Sequence, residues 1–322
     1  MTAINTLAYA QILQQALDQK AIHTLLTGWM DSNAGQVKYV GGNEVKIPQM
    51  SVDGLADYNR SDAGTGYVQG AVTLSYKTYT MSQDRGRKFQ LDAMDVDETN
   101  FVATATNVMN VFQTEKVVPE VDAYRLSKLA TTAIGVANDT NVEYGYTPAK
   151  DTVLTKIKAG IKVIRENGYQ GELVIHANYD TVTELELAMA GKLAAVTFSQ
   201  GGVNTQVPAV DGCAIIKTPA NRMYSAITLN DGTTSTQTAG GYAKAAKALD
   251  VNFIIVPREV PIAVTKQDKM RIFDPDTNQN ANAWVMDYRR YHELWVLDNK
   301  KNLVFANIKD AKSSQIEGVL DV

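Results

Sequence analysis

The sequence is poor in the residue types from which chemical sites are usually built. It contains one cysteine, Cys213, and three histidines in 322 residues. A single cysteine excludes an intrachain disulfide and argues against a zinc site. Cys213 lies in the apolar run CAIIK, so we expect a buried core thiol. His176 and His292 have no serine or cysteine motif at a recognised spacing, and His23 beside an apolar helix face is expected to be packed or exposed rather than a ligand.

Long apolar runs and nucleotide-binding motifs are also absent. No run reaches the roughly 20 residues that span a bilayer, and the start MTAINTLAYAQIL lacks the basic region of a signal peptide. The chain has no G-x-S-x-G, H-E-x-x-H, P-loop or G-x-G-x-x-G motif. A net charge of −4 argues against a protein that coats nucleic acid. We therefore expect a protein that folds in a cytoplasm and uses no cofactor.

The composition leaves two classes of protein open. Hydrophobic residues make up 45% of the chain, an ordinary value, and charged residues 20%, which is low. A low charged fraction fits a subunit that gives much of its surface to neighbouring subunits. An ordinary globular enzyme is the alternative, and composition alone slightly favours it.

The stretch Gln83 to Ala130 organises the chain, because it joins opposed charge clusters to a long amphipathic helix. The basic residues are Arg85, Arg87 and Lys88, and the acidic residues are Asp92, Asp95, Asp97 and Glu98. Asp95 and Glu98 have the spacing of a capping box. Apolar residues then recur at helical spacing from Phe101 to Phe112, and Pro119 is expected to kink or break the helix. We expect a spine helix rather than a catalytic element.

The acidic cluster resembles a cation site only in part. Several carboxylates in sequence could bind a hard cation, but they are more typical of a helix start. A second series, Asp274 to Asn280, alternates like a calcium loop. There Gln279 replaces the turn glycine and Val285 the final glutamate, so a surface turn is expected and no metal site. For the basic cluster, a contact between proteins is favoured over nucleic acid.

Residues Glu44 to Leu91 are expected to form a long β-hairpin. Its tip, about Asp53 to Gly70, is rich in Gly, Asp, Asn and Ser. Val72, Leu74 and Tyr76 alternate with polar residues, so one face of the hairpin is apolar. A two-stranded hairpin is marginal alone in water, and this face therefore implies a covering partner. The partner is a neighbouring subunit or the hairpin's own domain, and the residues alone favour neither.

The remaining pattern alternates helices and strands and then returns to strands. Ile4 to Met30 is expected to be helical and Asp31 to Gly42 a flexible arm. An α/β unit is expected over about 140–260. One of its helices is expected to be capped by Asp151 at its start and by Gly168 at its end, and a second is expected to span Asp180 to Ala190. Its strands are ELVIH, CAIIK and NFIIV. Ser199 to Val210 and Asp231 to Gly241 are expected to be mobile loops. Trp284 to Leu297 is expected to be a strand with which Leu303 to Ile308 pairs back.

Two long sequence segments within Gln83 to Ala130 resemble those of a known family. DRGRKFQLDAMDVDETNF followed by KVVPEVDAYRLSKLA resembles the major capsid proteins of tailed bacteriophages, which have the Hong-Kong-97-type (HK97-like) fold. The order of elements across nearly the whole chain is similar as well. The resemblance implies an α+β fold with an N-terminal arm (1–43), an extended β-hairpin loop (44–91), a peripheral domain with a long spine helix (92–139 and 261–322) and an α/β axial domain (140–260).

The resemblance implies a structural protein and not an enzyme. Such subunits form hexamers and pentamers that close into an icosahedral shell around double-stranded DNA, without sequence-specific binding and without a membrane. It also implies a portal, a separate scaffolding protein, assembly in the host bacterial cytoplasm and a place in the virion. Some members form an autocatalytic Lys–Asn crosslink, whose motif is not recognisable here and is not predicted. Alternatives are an encapsulin-like compartment subunit and an α/β enzyme with an unrecognised site.

The seven charged residues of the two clusters are the candidates for contacts between subunits. Side chains alternate along a strand and rotate around a helix, so few of these charges can meet within one chain. A ring of identical subunits presents the same opposed charges to each neighbour. The clusters are therefore expected to pair between subunits.

Overall fold

The computed structural model describes residues 25–36, 38–41, 43–58, 60–61, 66–92, 108–189, 193–200, 203–279 and 281–312. The strands are β1 (Lys38–Gly41), β2 (Glu44–Val52), β3 (Val72–Thr80), β4 (Gln83–Asp92), β5 (Val142–Glu143), β6 (Leu173–Asn178), β7 (Ala194–Gln200), β8 (Val203–Val210), β9 (Cys213–Thr218), β10 (Ile227–Leu229), β11 (Tyr242–Lys244), β12 (Val251–Pro257), β13 (Pro261–Phe273), β14 (Ala283–Val296) and β15 (Phe305–Ile308). The α-helices with both ends described are α1 (Val118–Ile134), α2 (Val153–Glu166) and α3 (Tyr179–Ala188). The expected capping box at Asp95 and Glu98 and most of the expected N-terminal helix lie outside the described residues.

The expected hairpin is confirmed over β2 and β3 but ends earlier than expected. β2 pairs antiparallel with β3, from Glu44 opposite Thr80 to Val52 opposite Val72. β1 adds a third strand to the edge of β2. β4 does not continue this sheet, because its partner is β14 and the order of that second sheet is β13-β14-β4. The chain therefore changes sheets at Met81 and Ser82, between β3 and β4.

The helix at the centre of the chain passes Pro119 without breaking. Residues 108–112 are α-helical, Gln113–Val117 form a π-helical turn, and α1 follows directly, with Pro119 in its first turn. A proline ring crowds the carbonyl four residues earlier and lacks an N–H. The wider π-helical turn just before it relieves that crowding. Of the expected kink or break, the break is therefore wrong, and a π-helical turn stands in its place.

A seven-stranded mixed sheet, ordered β5-β15-β12-β6-β9-β8-β7, forms the larger core. Its buried strands alternate their side chains between two layers: Val174 and Ile254 pack with α1, while Ile175 and Ile255 pack with α2 and α3. Helices thus cover both faces of the sheet, although α1 and β15 lie outside the range 140–260 over which the α/β unit was expected. α2 ends before Gly168, which has the positive φ of +91° that a cap glycine adopts. At its start the N-cap is Thr152 rather than Asp151.

Three further expectations were wrong. Ser199 to Val210 is not a loop, because β7 and β8 pair there as a hairpin at the sheet edge. The chain end does not pair back with β14, since β15 pairs with β12 and β5 in the larger sheet. The first part of the arm expected from Asp31 belongs to a 3-10 helix, Gly28–Gln36, in which Trp29 and Met30 are buried, and β1 follows it. None of the described helices is long and apolar enough to cross a membrane.

Candidate assembly surface

One face of the β2–β3 hairpin is an exposed apolar ladder. Three cross-strand pairs form it: Pro48 with Tyr76, Met50 with Leu74, and Val52 with Val72. All six side chains are exposed, with Val72 71% and Met50 66% accessible. The opposite face at the same level is polar, with Gln49 opposite Ser75 and Ser51 opposite Thr73. An amphipathic hairpin whose apolar side faces solvent marks an interaction surface. We name these six residues the apolar ladder.

The root of the hairpin, in contrast, is firmly packed in its own chain. Val45 and Ile47 are buried on the face opposite the apolar ladder. They pack in a cluster with Met81, Ile262 and Val264, to which Leu297 also belongs. Tyr79 and Trp295 join this cluster with ring centroids 5.7 Å apart. The apolar side chains at the root are therefore buried within the subunit. Those of the distal part lie on the opposite face of the hairpin and are exposed.

A buried carboxylate fixes the change of sheet at Ser82. Glu293 on β14 accepts hydrogen bonds from the Ser82 backbone N–H at 3.1 Å and from its hydroxyl at 2.6 Å. The Tyr124 hydroxyl on α1 donates to the other oxygen of Glu293. Burial, and then the nearby Glu293 carboxylate, raises the pKa of Tyr124 well above its usual range, so the phenol stays protonated and donates. The hairpin root, the second sheet and α1 meet at this one side chain.

Arg85 and Arg87 point to their own chain rather than to the acidic cluster. Arg85 donates to both oxygens of Glu120 on α1, at 2.8 and 3.2 Å. It also donates to the carbonyls of Asn230 and Gly241, at 2.8 and 3.2 Å. Arg87 donates to the Thr238 carbonyl at 3.2 Å. Arg85 thus closes the neck of the Asn230–Gly241 loop, through partners that the charge pattern of the sequence did not predict.

The other members of the charge clusters have different surroundings. Lys88 is exposed, and its position on β4 lies opposite Asp287 on β14. Asp92 ends β4, opposite Ala283. Asp95, Asp97 and Glu98 lie outside the described residues. The glycine within the basic cluster is explained by close packing, because a Cβ on Gly86 would lie 2.8 Å from the Tyr288 carbonyl oxygen. The cluster is thus built around a tight strand contact.

The loop closed by Arg85 has its own internal hydrogen bonds. Asp231 accepts from the backbone N–H groups of Thr233 and Thr234, at 2.8 and 2.9 Å, and from the Thr234 hydroxyl. These bonds to its charged form hold the pKa of Asp231 well below its usual range. The loop is thus a bonded turn fastened at its neck.

An N-terminal anchor, residues 25–36, is inserted between α1 and the large sheet. Asp122 on α1 is fully buried and accepts from the backbone N–H and hydroxyl of Thr27 and from Arg222. Arg125 bridges to Asp31 with two hydrogen bonds of 3.1 and 2.7 Å. Trp29 donates its indole N–H to Nε2 of His176, at 3.2 Å. If the anchor leaves, Asp122 loses Thr27 but keeps Arg222, and Arg125 loses Asp31.

Among the described residues, the buried titratable groups do not form a reactive constellation. Burial lowers the pKa of His176 to about 3, so the ring is neutral and accepts from Trp29. Burial and then Arg290 lower the pKa of His292 well below its usual range. Burial raises the pKa of Cys213, which keeps it a thiol. Within the described part of the chain no group of three or more His, Cys, Asp or Glu residues could hold a metal ion. These side chains serve packing and hydrogen bonding.

Comparisons with known proteins give a likeness of structure. No family model matches the chain, and no curated protein matches it. Among solved structures, a chain from Mycobacterium phage Che8 is similar with a TM-score of 0.53 at 13% identity, covering 84% of this chain and 86% of that one. A chain of the mature capsid of bacteriophage PhiM1 is similar with a TM-score of 0.52 at 16% identity, covering 83% and 82%.

A third similar chain belongs to the capsid of the cyanophage P-SCSP1u. Its TM-score is 0.54 at 13% identity, and the match covers 86% of each chain. At such low identity the likeness concerns the fold. The chain folds as the subunits of these phage capsid structures do.

Proposed function

We propose that this chain is the major capsid protein of a tailed bacteriophage. It assembles with copies of itself, as hexamers and pentamers, into an icosahedral shell that encloses double-stranded DNA. The observation that carries the proposal is the apolar ladder, which the subunit exposes on a hairpin whose root is fixed in its own core. The shared fold with phage capsid chains supports it.

The apolar ladder supplies a driving force for assembly. Covering six half-exposed apolar side chains contributes on the order of 5 kcal/mol per hairpin before the entropy of association is subtracted. A surface that every copy carries can be satisfied around a closed ring of identical subunits. Because the root of the hairpin is packed in the subunit core, the distal part reaches a neighbour without a change in that core.

The proposal extends to partners and location. A separate scaffolding protein and a portal take part in assembly, which occurs in the host bacterial cytoplasm, and the product is the virion. The protein has no enzymatic activity in this role. We keep the division into an arm (1–43), an extended loop (44–91), a peripheral domain (92–139 and 261–322) and an axial domain (140–260) as a proposal. We also keep the charge clusters as contact candidates, with Lys88 the most available of their described basic members.

The test is assembly of the purified chain, alone and with the scaffolding protein of the same virus. Light scattering after size exclusion is expected to show rings or megadalton shells, and electron microscopy icosahedral particles. Particles formed during infection should contain DNA. Particles filled with protein cargo instead would favour the encapsulin-like alternative. A chain that stays a soluble monomer even with its scaffold would contradict the proposal.

A further inference from the structure

A groove lies between β4, the start of α1 and the Asn230–Gly241 loop, and we name it the loop groove. Its volume is about 730 Å³, within the range of cavities that bind ligands in proteins. Apolar and aromatic side chains that are buried or half-buried line one part of it: Phe89, Phe112, Val117 and Tyr288. Phe112 packs edge-on against Phe89 and Tyr288, with ring centroids 4.8 and 5.7 Å apart. This part of the groove accepts apolar side chains.

Two cations at the loop groove have no carboxylate partner among the residues that the structure describes. Arg87 is exposed and donates only to the Thr238 carbonyl, and Lys116 is exposed in the π-helical turn. The other lining cations form ion pairs: Arg85 with Glu120, Lys244 with Asp250 and Arg290 with Asp268. The other lining carboxylates are Asp84, which binds Arg289, Asp231, which accepts from its own turn, and Glu115. Two cations against Glu115 favour an acidic occupant that also has apolar side chains.

The last described residues of the chain lie beside this groove. The Asp310 carboxylate accepts from the Asp250 backbone N–H at 2.7 Å, and the Asp250 carboxylate accepts from Lys244 Nζ at 2.5 Å. Lys244 lines the groove, and its Nζ lies 5.4 Å from the ring centroid of Tyr224, which also lines it. Residues 313–322 therefore continue from a point close to the groove. Fully extended, they reach at most about 35 Å, which exceeds the length of α1, about 25 Å for its 17 residues.

Residues 313–322, SSQIEGVLDV, have the composition that fits this groove. Their charged residues are Glu317 and Asp321, and their apolar residues are Ile316, Val319, Leu320 and Val322. Residues 1–24 fit less well, although Leu25, which follows them, packs on Val121 at the groove. They contain one aspartate and one lysine, a net charge of zero. As a helix they would be about 36 Å long and 10 Å across, which is several times the volume of the groove.

We propose that residues 313–322 of the same chain dock in the loop groove. Glu317 and Asp321 face Arg87 and Lys116, and the apolar side chains of the segment cover Phe112 and its neighbours. The docked segment joins the Asn230–Gly241 loop to the start of α1, as Arg85 does at the loop neck. The contact lies within one subunit, so it goes beyond the proposed function and does not depend on it.

The first test couples carboxylates to amines without a spacer in the unmodified chain, which is kept dilute and unassembled, and identifies the coupled peptides by mass spectrometry. Lys116 is expected to couple to Glu317 or Asp321 at least about tenfold more than Lys88 does, because docking raises the effective concentration of these carboxylates at Lys116. Lys88 is the matched control, since it is an exposed lysine of β4 that does not line the groove.

The second test removes the charge of the segment. Glu317→Gln with Asp321→Asn is expected to raise hydrogen exchange in the Asn230–Gly241 loop severalfold, because the loop loses a contact. The matched control is Asp57→Asn with Asp276→Asn, which removes the same charge at two exposed residues outside the groove. Exchange in the loop should stay unchanged in this control, and circular dichroism confirms folding of both variants.

Each other occupant of the groove gives a result of its own. Coupling of Lys116 to Asp18 would assign the groove to residues 1–24. In a mixture of isotope-labelled and unlabelled chains, coupling of a labelled to an unlabelled peptide would place the segment of a second copy there. Either result, equal coupling of Lys116 and Lys88, or unchanged exchange in Glu317→Gln with Asp321→Asn overturns the proposal. A chain that shows the expected coupling and exchange but never forms shells would contradict the proposed function alone.

Discussion

Met50 on β2 lies directly opposite Leu74 on β3, and both side chains are more than half exposed, at 66% and 56%. Cross-strand apolar pairs normally stabilise a sheet by packing against a second layer. Here the described residues provide no such layer over the pair. The pair therefore contributes little to the subunit and is available to a neighbour. Substitutions of this pair therefore test assembly separately from folding.

Replacing this pair should abolish assembly while sparing the fold. Met50→Ser with Leu74→Ser is expected to change the free energy of unfolding by less than about 1 kcal/mol, since little buried area is lost. Shell yield is expected to fall at least tenfold, because removing two side chains from a covered ladder costs about 2 kcal/mol or more per contact. Urea unfolding and light scattering measure the two effects.

The control for this prediction is on the other face of the same strands. Gln49→Ser with Thr73→Ser changes polar residues at the same level of the hairpin. Its yield should match that of the unmodified chain. Equal loss in both variants would mean that the hairpin acts through its conformation and that the apolar ladder is not the contact.

Stability of the unassembled subunit should fall on acidification because of His176. The folded pKa of about 3 lies below the ordinary value of 6.5, so the unfolded chain binds more protons between these values. Stability from the neutral ring is thus complete above about pH 7 and is lost as the pH falls. At about pH 5 the loss is about 2 kcal/mol. His176→Gln should flatten this part of the dependence, measured by urea unfolding at both pH values, while His292 leaves a remainder of the same sign.

The N-terminal anchor should be essential to the fold through Asp122. Asp122→Ala leaves Arg222 and the Thr27 N–H without their buried acceptor. Removing one partner of a buried ion pair typically costs about 3–5 kcal/mol. Glu172→Ala, which removes a half-exposed partner of Arg258, should cost at most about 1 kcal/mol. Similar losses in the two variants would show that the anchor contributes little.

The sequence predicted those parts of the fold in which local pattern and tertiary role agree. Alternation of Val72, Leu74 and Tyr76 identified β3 and its apolar face, and the run NFIIV identified β12. The strands β7 and β8 were missed because Gly201, Gly202 and Pro208 are typical of a loop, and β pairing there overrides this local preference.

Other features depend on partners far away in the chain. Nothing in the residues around Ser82 indicates that the chain leaves one sheet for another, because Glu293, which fixes the change, is 211 residues away. The same holds for Arg85, whose carbonyl partners come from positions 145 and 156 residues later. The charge pattern identified the basic cluster but not its partners, because the sequence alone shows only the opposite charges that lie nearby along the chain.

We expect Arg85 to hold the Asn230–Gly241 loop against α1 and β4. Its planar guanidinium binds one carboxylate and two carbonyls at once, which a lysine ammonium at the end of a flexible stem cannot reproduce. Arg85→Ala and Arg85→Lys are both expected to raise hydrogen exchange at the loop neck, because the carbonyls of Asn230 and Gly241 lose their common donor. Arg87→Ala is the matched control, because Arg87 makes one exposed hydrogen bond to the loop at Thr238 and should change exchange there only locally.

Glu120→Ala leaves Arg85 its two carbonyls but removes its ion pair with α1, so an intermediate increase in hydrogen exchange is expected. Adding Glu120→Ala to Arg85→Ala should then have little further effect, as for two residues in one network. Full protection of the neck in Arg85→Ala would show that the loop is held without Arg85, by the Asn230 N–H bond to the Gly241 carbonyl and the internal bonds of Asp231.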